Sequence, residues 1–95
     1  MPAFVIVDTK IKDAEAYAEY IEKVPALVAR YGGNYRARGG QHTVMEGEWN
    51  PTRLVLIEFP DRKAIEAFYA DHDYQAIVPI RLENTESDLV ILDGI

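Results

Sequence analysis

The chain has 95 residues, 48% of them hydrophobic and 27% charged, proportions that fit one small folded domain over residues 1–95 and exclude a disordered or fibrous chain. Its net charge of −6 opposes binding to phosphate backbones, which requires a surplus of Lys and Arg on one face, so no nucleic-acid partner is expected. There is no cysteine, and His42 and His72 are the only imidazoles and lack HExxH spacing; disulfides, thiolate chemistry and cysteine zinc sites are excluded, and neither metal nor cofactor is expected.

No apolar run approaches the roughly eighteen residues of a membrane span. Met1-Pro2-Ala3-Phe4 enters a strand without a basic leader, so a cytoplasmic protein without membrane contact is expected. Residues 3–7 are apolar on both faces, as in a strand covered on both sides, and belong at the centre of a sheet. Asp13 is placed to cap a helix with Glu15 in its first turn, and Ala14, Tyr17, Ile21, Val24, Val28 and Tyr31 recur along it at threes and fours. Pro25 removes a backbone donor inside this helix, so a kink or break is expected near residues 21–24, and Gly32-Gly33 supplies the stop.

Residues 35–38 alternate like an edge strand. Gly39-Gly40 marks a bulge or bend before the strand resumes over residues 43–46, and residues 47–51 form the turn. Leu54 to Phe59 is again apolar on both faces. Pro60-Asp61 opens a helix through Ile65, Phe68 and Tyr69. Asp71-His72-Asp73 interrupts it, and Asp73 caps a further helix bearing Tyr74, Ile77, Val78 and Leu82, which Pro79 shortens or bends. Residues 84–87 read as a polar turn and residues 89–92 as the last strand.

The order β-α-β-β-α-β describes an α+β, ferredoxin-like split βαβ sandwich, with an antiparallel sheet in the order 4-1-3-2, both helical stretches on one face, and the first and third strands parallel at the centre. The other face would present alternate residues of the three apolar strands, a larger apolar patch than a soluble monomer exposes. At roughly 25 cal/mol per Å², roughly 400 Å² of such surface is worth on the order of 10 kcal/mol before association costs. A two-fold homodimer through the sheet face is therefore expected.

Tyr17-Ala18-Glu19-Tyr20, Pro25, Arg30-Tyr31-Gly32-Gly33, Arg38-Gly39-Gly40, Glu46-Gly47-Glu48-Trp49, Glu58-Phe59-Pro60, Tyr74-Gln75-Ala76 and Ser87-Asp88-Leu89-Val90 follow in an order and spacing that resemble the bacterial family catalogued as domain of unknown function 1330. The resemblance spans nearly the whole chain. It implies a dimeric α+β barrel, the superfamily of the antibiotic-biosynthesis monooxygenases, muconolactone isomerase, and the dye-decolorising peroxidase and chlorite dismutase folds. It implies no activity, because fold does not set function.

Candidate chemistry follows from placement. With parallel central strands, Asp8, Glu58 and Asp88 would gather at one sheet edge, where carboxylates act as acid and base or merely meet water. Glu58 is a candidate catalytic group, with an ion pair to Arg36 or Arg38 as the alternative. Tyr69 and Tyr74 flank the helix interruption, which could leave an aromatic-lined cavity open to His72, a candidate proton carrier, and to Arg81, which could hold a carboxylate. Arg38 is a second candidate anion ligand. Trp49 either closes a pocket or packs in the dimer interface. Two readings stay open: a cofactor-independent enzyme acting on a small metabolite, and a non-catalytic homodimer that binds a small molecule or serves as a structural module.

Overall fold

The computed structural model describes residues 1–95. Strand β1 (Ala3–Ile11) lies inside a four-stranded sheet, between β3 (Leu54–Phe59) and β4 (Thr85–Asp93), with β2 (Asn34–Arg38) on the far side of β3. The order β2-β3-β1-β4 is the expected 4-1-3-2 read from the opposite edge. Helices α1 (Ala14–Arg30), α2 (Arg62–Ala70) and α3 (His72–Asn84) complete a ferredoxin-like α+β fold. No helix is long and apolar enough to cross a membrane.

Every neighbouring pair of strands is antiparallel, including β1 with β3, which corrects the expected parallel centre. Helix α1 returns the chain so that β2 runs parallel to β1. The β2–β3 connection then reverses it, and β3 enters between them in the opposite direction. The three acids are consequently divided. Asp8 lies opposite Leu54 and Asp88, whereas Glu58 lies opposite Phe4 near the other end of β1.

Strand alternation sorts the apolar residues onto two faces. Ala3, Val5, Val7 and Thr9 of β1 and Val55, Ile57 and Phe59 of β3 point at the helices and are buried. Against them pack Tyr17, Tyr20, Val24, Leu27 and Val28 of α1, Ile65 and Phe68 of α2, and Tyr74, Ile77 and Val78 of α3. The opposite face carries Phe4, Ile6, Leu54 and Leu56, all half-buried, beside Val90 and Leu92, each 55% exposed. No helix covers these residues.

Asp13 caps α1 by accepting from Ala16 N at 3.0 Å, and the helix runs without interruption through Pro25 to Arg30. The expected break is absent, for a visible reason. Proline at this position leaves the Ile21 carbonyl without its i+4 donor. Arg38 on β2 reaches across and donates Nη2 to that carbonyl at 3.1 Å. A tertiary contact thus replaces the missing helical bond.

Further expectations are corrected. The β2 irregularity falls between Tyr35 and Ala37 and not at Gly39-Gly40. Residues 43–46 form no strand: Gly39, at φ +72°, directs the chain off the sheet after its amide bonds Leu54 O, and residues 39–53 form a loop. Asp71, not Asp73, caps α3, accepting from Asp73 N at 2.8 Å and Tyr74 N at 3.2 Å, and α3 runs for 13 residues despite Pro79. Residues 84–87 are no turn, because α3 passes directly into β4, with Thr85 Oγ1 donating to Arg81 O at 2.5 Å and Lys12 N to Asn84 O at 2.9 Å. Leu82 lies outside the core, 59% exposed.

The exit from α1 is tight. A Cβ on Gly33 would stand 2.6 Å from Val28 Cγ1 and 2.8 Å from two ring carbons of Phe59, whereas one on Gly40 would meet nothing within 4 Å. Gly33→Ala should therefore lower stability by about 1–3 kcal/mol through overpacking, while Gly40→Ala should raise it by about 0.4–1 kcal/mol by restricting the unfolded chain. Urea unfolding of both variants beside the parent checks the pair.

Candidate functional site: a donor-rich cavity between sheet and helices

The inner faces of β1 and β3 do not meet the helices everywhere. A cavity of about 40 Å³ remains between them, with Val5, Val7, Val24, Val55, Ile57, Phe68 and Leu89 among its apolar lining. The polar lining consists of Thr9, Tyr17, Tyr20, Tyr35, Tyr74, Arg38, Arg53 and Arg81. The chain has 16 Asp and Glu, and none of them lines this cavity.

Each element places its residue by simple geometry. Tyr17, Tyr20 and Val24 follow at three and four along α1 and so share its inner stripe. Arg53 precedes Val55, Ile57 and Phe59 at alternate positions, which puts it on the inner face of the sheet. Arg81 lies two turns beyond Tyr74 on α3. Arg38 lies opposite Val55, stacks its guanidinium over the Tyr35 ring at 4.8 Å and bonds Ile21 O, spanning from β2 to α1 at the rim.

Arg81 is the anomaly of the site. It is 4% exposed, forms no ion pair, and donates Nη1 to Ser87 Oγ at 2.9 Å. Its Nε is the one buried side-chain nitrogen or oxygen that has no hydrogen-bond partner. A buried guanidinium normally finds a carboxylate, because desolvating an unpaired charge costs several kcal/mol, on the order of 3–5. Burial pulls the Arg81 proton affinity down, but the adjoining Tyr74 and Tyr20 outweigh it and the net shift is upward. Arg81 is a standing cation.

Around it the tyrosines supply further donors. Tyr20 and Tyr74 hydroxyls lie 2.9 Å apart, so one donates to the other and the second proton is left for another acceptor. Burial pushes the Tyr17, Tyr20 and Tyr35 hydroxyls up from their ordinary value, with Tyr74 adding to the rise at Tyr20, so they stay protonated near neutrality. The site holds excess donors, a fixed positive charge and no carboxylate or imidazole.

Of the residues singled out in the sequence, Arg38, Tyr74 and Arg81 come together in this cavity. Glu58 lies on the opposite face of the sheet, where its Oε1 accepts from Arg36 Nε at 3.1 Å. His72 is an exposed first residue of α3. Tyr69 is 43% exposed, and its ring packs on Tyr74 from outside at 5.8 Å. Trp49 is 63% exposed and donates Nε1 to Asp8 at 3.2 Å. Burial alone would raise the Asp8 carboxyl, but donors from Thr52 N, Trp49 and Arg53 N hold it below its usual range. No group of three or more His, Cys, Asp or Glu is placed to hold a metal ion.

The helix interruption at residues 71–73 is not a cavity mouth. Asp71 Oδ2 accepts from the Tyr31 hydroxyl at 2.5 Å and from Arg30 Nη1 at 3.1 Å, and Arg30 also bonds Asp73 at 3.0 Å, so a polar clamp fills the gap between α1 and α3.

The family model described as Domain of unknown function (DUF1330) matches residues 2–95. The chain belongs to this family. No curated protein matches it. Among solved structures, a protein of unknown function from Rhodopseudomonas palustris is similar at 20% identity and TM-score 0.79, covering 99% of this chain and 82% of its own. A dimeric ferredoxin-like protein of unknown function from Jannaschia sp. is similar at 13% identity and TM-score 0.75, over 99% of this chain and 100% of its own. SnoaB, a cofactor-independent oxygenase from Streptomyces nogalater, is similar at 11% identity and TM-score 0.67, over 99% and 93%. At these identities the likenesses establish the fold of this DUF1330 chain.

The Asp71 clamp makes a pH prediction. The Tyr31 hydroxyl, helped by Tyr74 N, Arg30 and Asp73 N, holds the Asp71 carboxyl down at about 2 against an ordinary 3.8. A depressed carboxylate contributes its full stability above the unfolded value and loses it as pH falls toward the folded one. Asp71→Asn, which keeps a competent cap, should therefore be less stable than the parent at pH 7, with the difference shrinking between about pH 4 and pH 2. Urea midpoints across that range measure it.

Proposed function

We propose that this protein is a homodimer whose protomers each hold a small molecule between the sheet and the helices. The observation that carries the binding reading is Arg81: a cation buried in a cavity, with a free donor and no acid to neutralise it. A purely structural arginine would be expected to have its donors satisfied. In this reading Arg81 anchors the ligand, Tyr20 and Tyr74 orient it, and Arg38 with Tyr35 forms the lid side of the rim.

The assembly half of the proposal rests on the uncovered sheet face. Phe4, Ile6, Leu54, Leu56, Val90 and Leu92 form a continuous apolar surface over three strands, and Trp49 is anchored at its Asp8 end. A second copy of the same face is the self-complementary cover that two-fold symmetry provides. The Jannaschia protein of the same fold is dimeric, which supports the reading. Glu58 and Arg36 would sit at the margin of that interface as an ion pair.

A second reading, that the dimer is a cofactor-independent enzyme, is favoured by the fold it shares with SnoaB. Glu58 and His72, the proton carriers this reading first suggests, lie outside the cavity, so a reaction in it would move protons through the substrate or the tyrosine hydroxyls. The absence of a lining carboxylate or imidazole supports binding over general acid–base catalysis.

A native mass spectrum of the purified protein tests both halves. The expected result is a dimer mass with a discrete adduct on each protomer. Ile6 lies opposite both Leu56 and Val90 at the middle of the face, so Ile6→Glu should convert the dimer to a folded monomer. A parent protein that is monomeric at micromolar concentration overturns the assembly reading.

A further inference from the structure

We infer that the molecule held in the cavity is a short-chain monocarboxylate, its carboxylate received by the unpaired Nε–H of Arg81 and the free hydroxyl proton of the Tyr20–Tyr74 pair. The inference rests on the binding reading above and specifies the ligand's charge and size.

The charge follows from an inventory of donors and acceptors. Arg81 has one buried donor unused, and the tyrosine pair has two hydroxyl protons for one internal bond. Arg53 and Arg38 add positive charge at the rim, and no acid faces the space. A neutral ligand with a carbonyl would satisfy Arg81 Nε–H but leave the guanidinium charge uncompensated. A carboxylate supplies both the charge and two acceptor oxygens. A doubly charged phosphate or dicarboxylate would need a second cation of equal burial, and Arg81 is the only buried arginine.

The size follows from the volume. At about 15 Å³ of such space per water, 40 Å³ holds about three waters, or about 90 Å³ of liquid. That accommodates a carboxylate about the size of acetate, whose methyl group would lie among Val5, Val7, Val55 and Ile57. An aromatic acid would not fit unless Arg38 left Ile21 O and opened the rim.

The test titrates acetate, the neutral isostere acetamide, and benzoate into the uniformly 15N-labelled full-length protein, following the Arg Nε–H and backbone amide resonances. Acetate is expected to shift the Arg81 Nε–H signal saturably, with acetamide and benzoate at least about tenfold weaker. Followed on the backbone amides, Arg81→Met should lose acetate affinity by about tenfold or more without losing thermal stability, since an apolar side chain of similar size replaces an unpaired buried charge. Should that variant fail to fold, Arg81→Lys, which keeps the charge and removes the planar fork, should show the same loss. Equal binding of acetamide overturns the charge assignment, and equal or tighter binding of benzoate overturns the size assignment. Absence of any acetate shift overturns the inference altogether. The binding reading itself then stands or falls separately, on whether the native mass spectrum shows a retained molecule of another kind.

Discussion

One constraint organises the molecule: β1 is hydrogen-bonded along both edges and apolar on both faces, yet helices cover only one of them. With Ala3, Val5, Val7 and Thr9 turned inward, Phe4, Ile6 and Asp8 must turn outward. A slip of one residue would exchange the two sets, placing Phe4 against α1 and exposing the valines. The antiparallel ladders to β3 and β4 hold this register, so the core, the cavity and the proposed dimer face are set by the same pairing. The sheet works as a partition, with the cavity on one side and the proposed dimer face on the other.

The rim of the cavity grows out of a backbone defect. Pro25 deprives Ile21 O of its helical donor, and Arg38 supplies another from the neighbouring strand. The same guanidinium lies over Tyr35, so one side chain repairs the helix, covers an aromatic ring and narrows the cavity entrance. The edge strand is otherwise short, and its register shifts between Tyr35 and Ala37. Without the Arg38 contact, β2 would be held to the body mainly through β3. The helix proline is thereby part of the site's construction, although it lies outside the cavity lining.

Much of this fold was legible in the residues. The apolar runs, the Asp13 and Asp61 caps and the Gly32-Gly33 stop lead to the observed elements and to the strand order, because each is a local signal. What failed was non-local. Pro25 reads as a break unless Arg38 is known to be near, and the strand expected over residues 43–46 has no partner, since β3 begins only at Leu54. Asp71 and Asp73 are equally good caps in sequence, and the Tyr31 and Arg30 contacts from α1 accompany the choice of Asp71. At the site, Tyr74 and Arg81 drew notice through the helix interruption expected to open a cavity, and Arg38 as a candidate anion ligand. Tyr17 and Tyr20 did not, because their periodicity is equally that of core residues. Arg53 could have been found by extending the inward alternation of β3 two residues toward its start.

The position of Arg81 is hard to explain by stability alone. Leucine or methionine on the inner face of α3 would pack the same space without desolvating a charge, and replacement of buried ionic groups by apolar ones of similar volume is often neutral or stabilising. The Ser87 bond satisfies one donor of the guanidinium, while Nε is buried without a partner on a residue that, with Tyr20 and Tyr74, lines the cavity. A fold selected only as scaffold would fill that space or neutralise that charge. Here the surrounding acids, in excess over the whole chain, all lie elsewhere, so the local field is positive while the global one is negative. Such a local field is the electrostatic basis of the proposed anion site. An unneutralised charge in a partly empty, donor-lined cavity is the arrangement expected when the missing partner comes and goes.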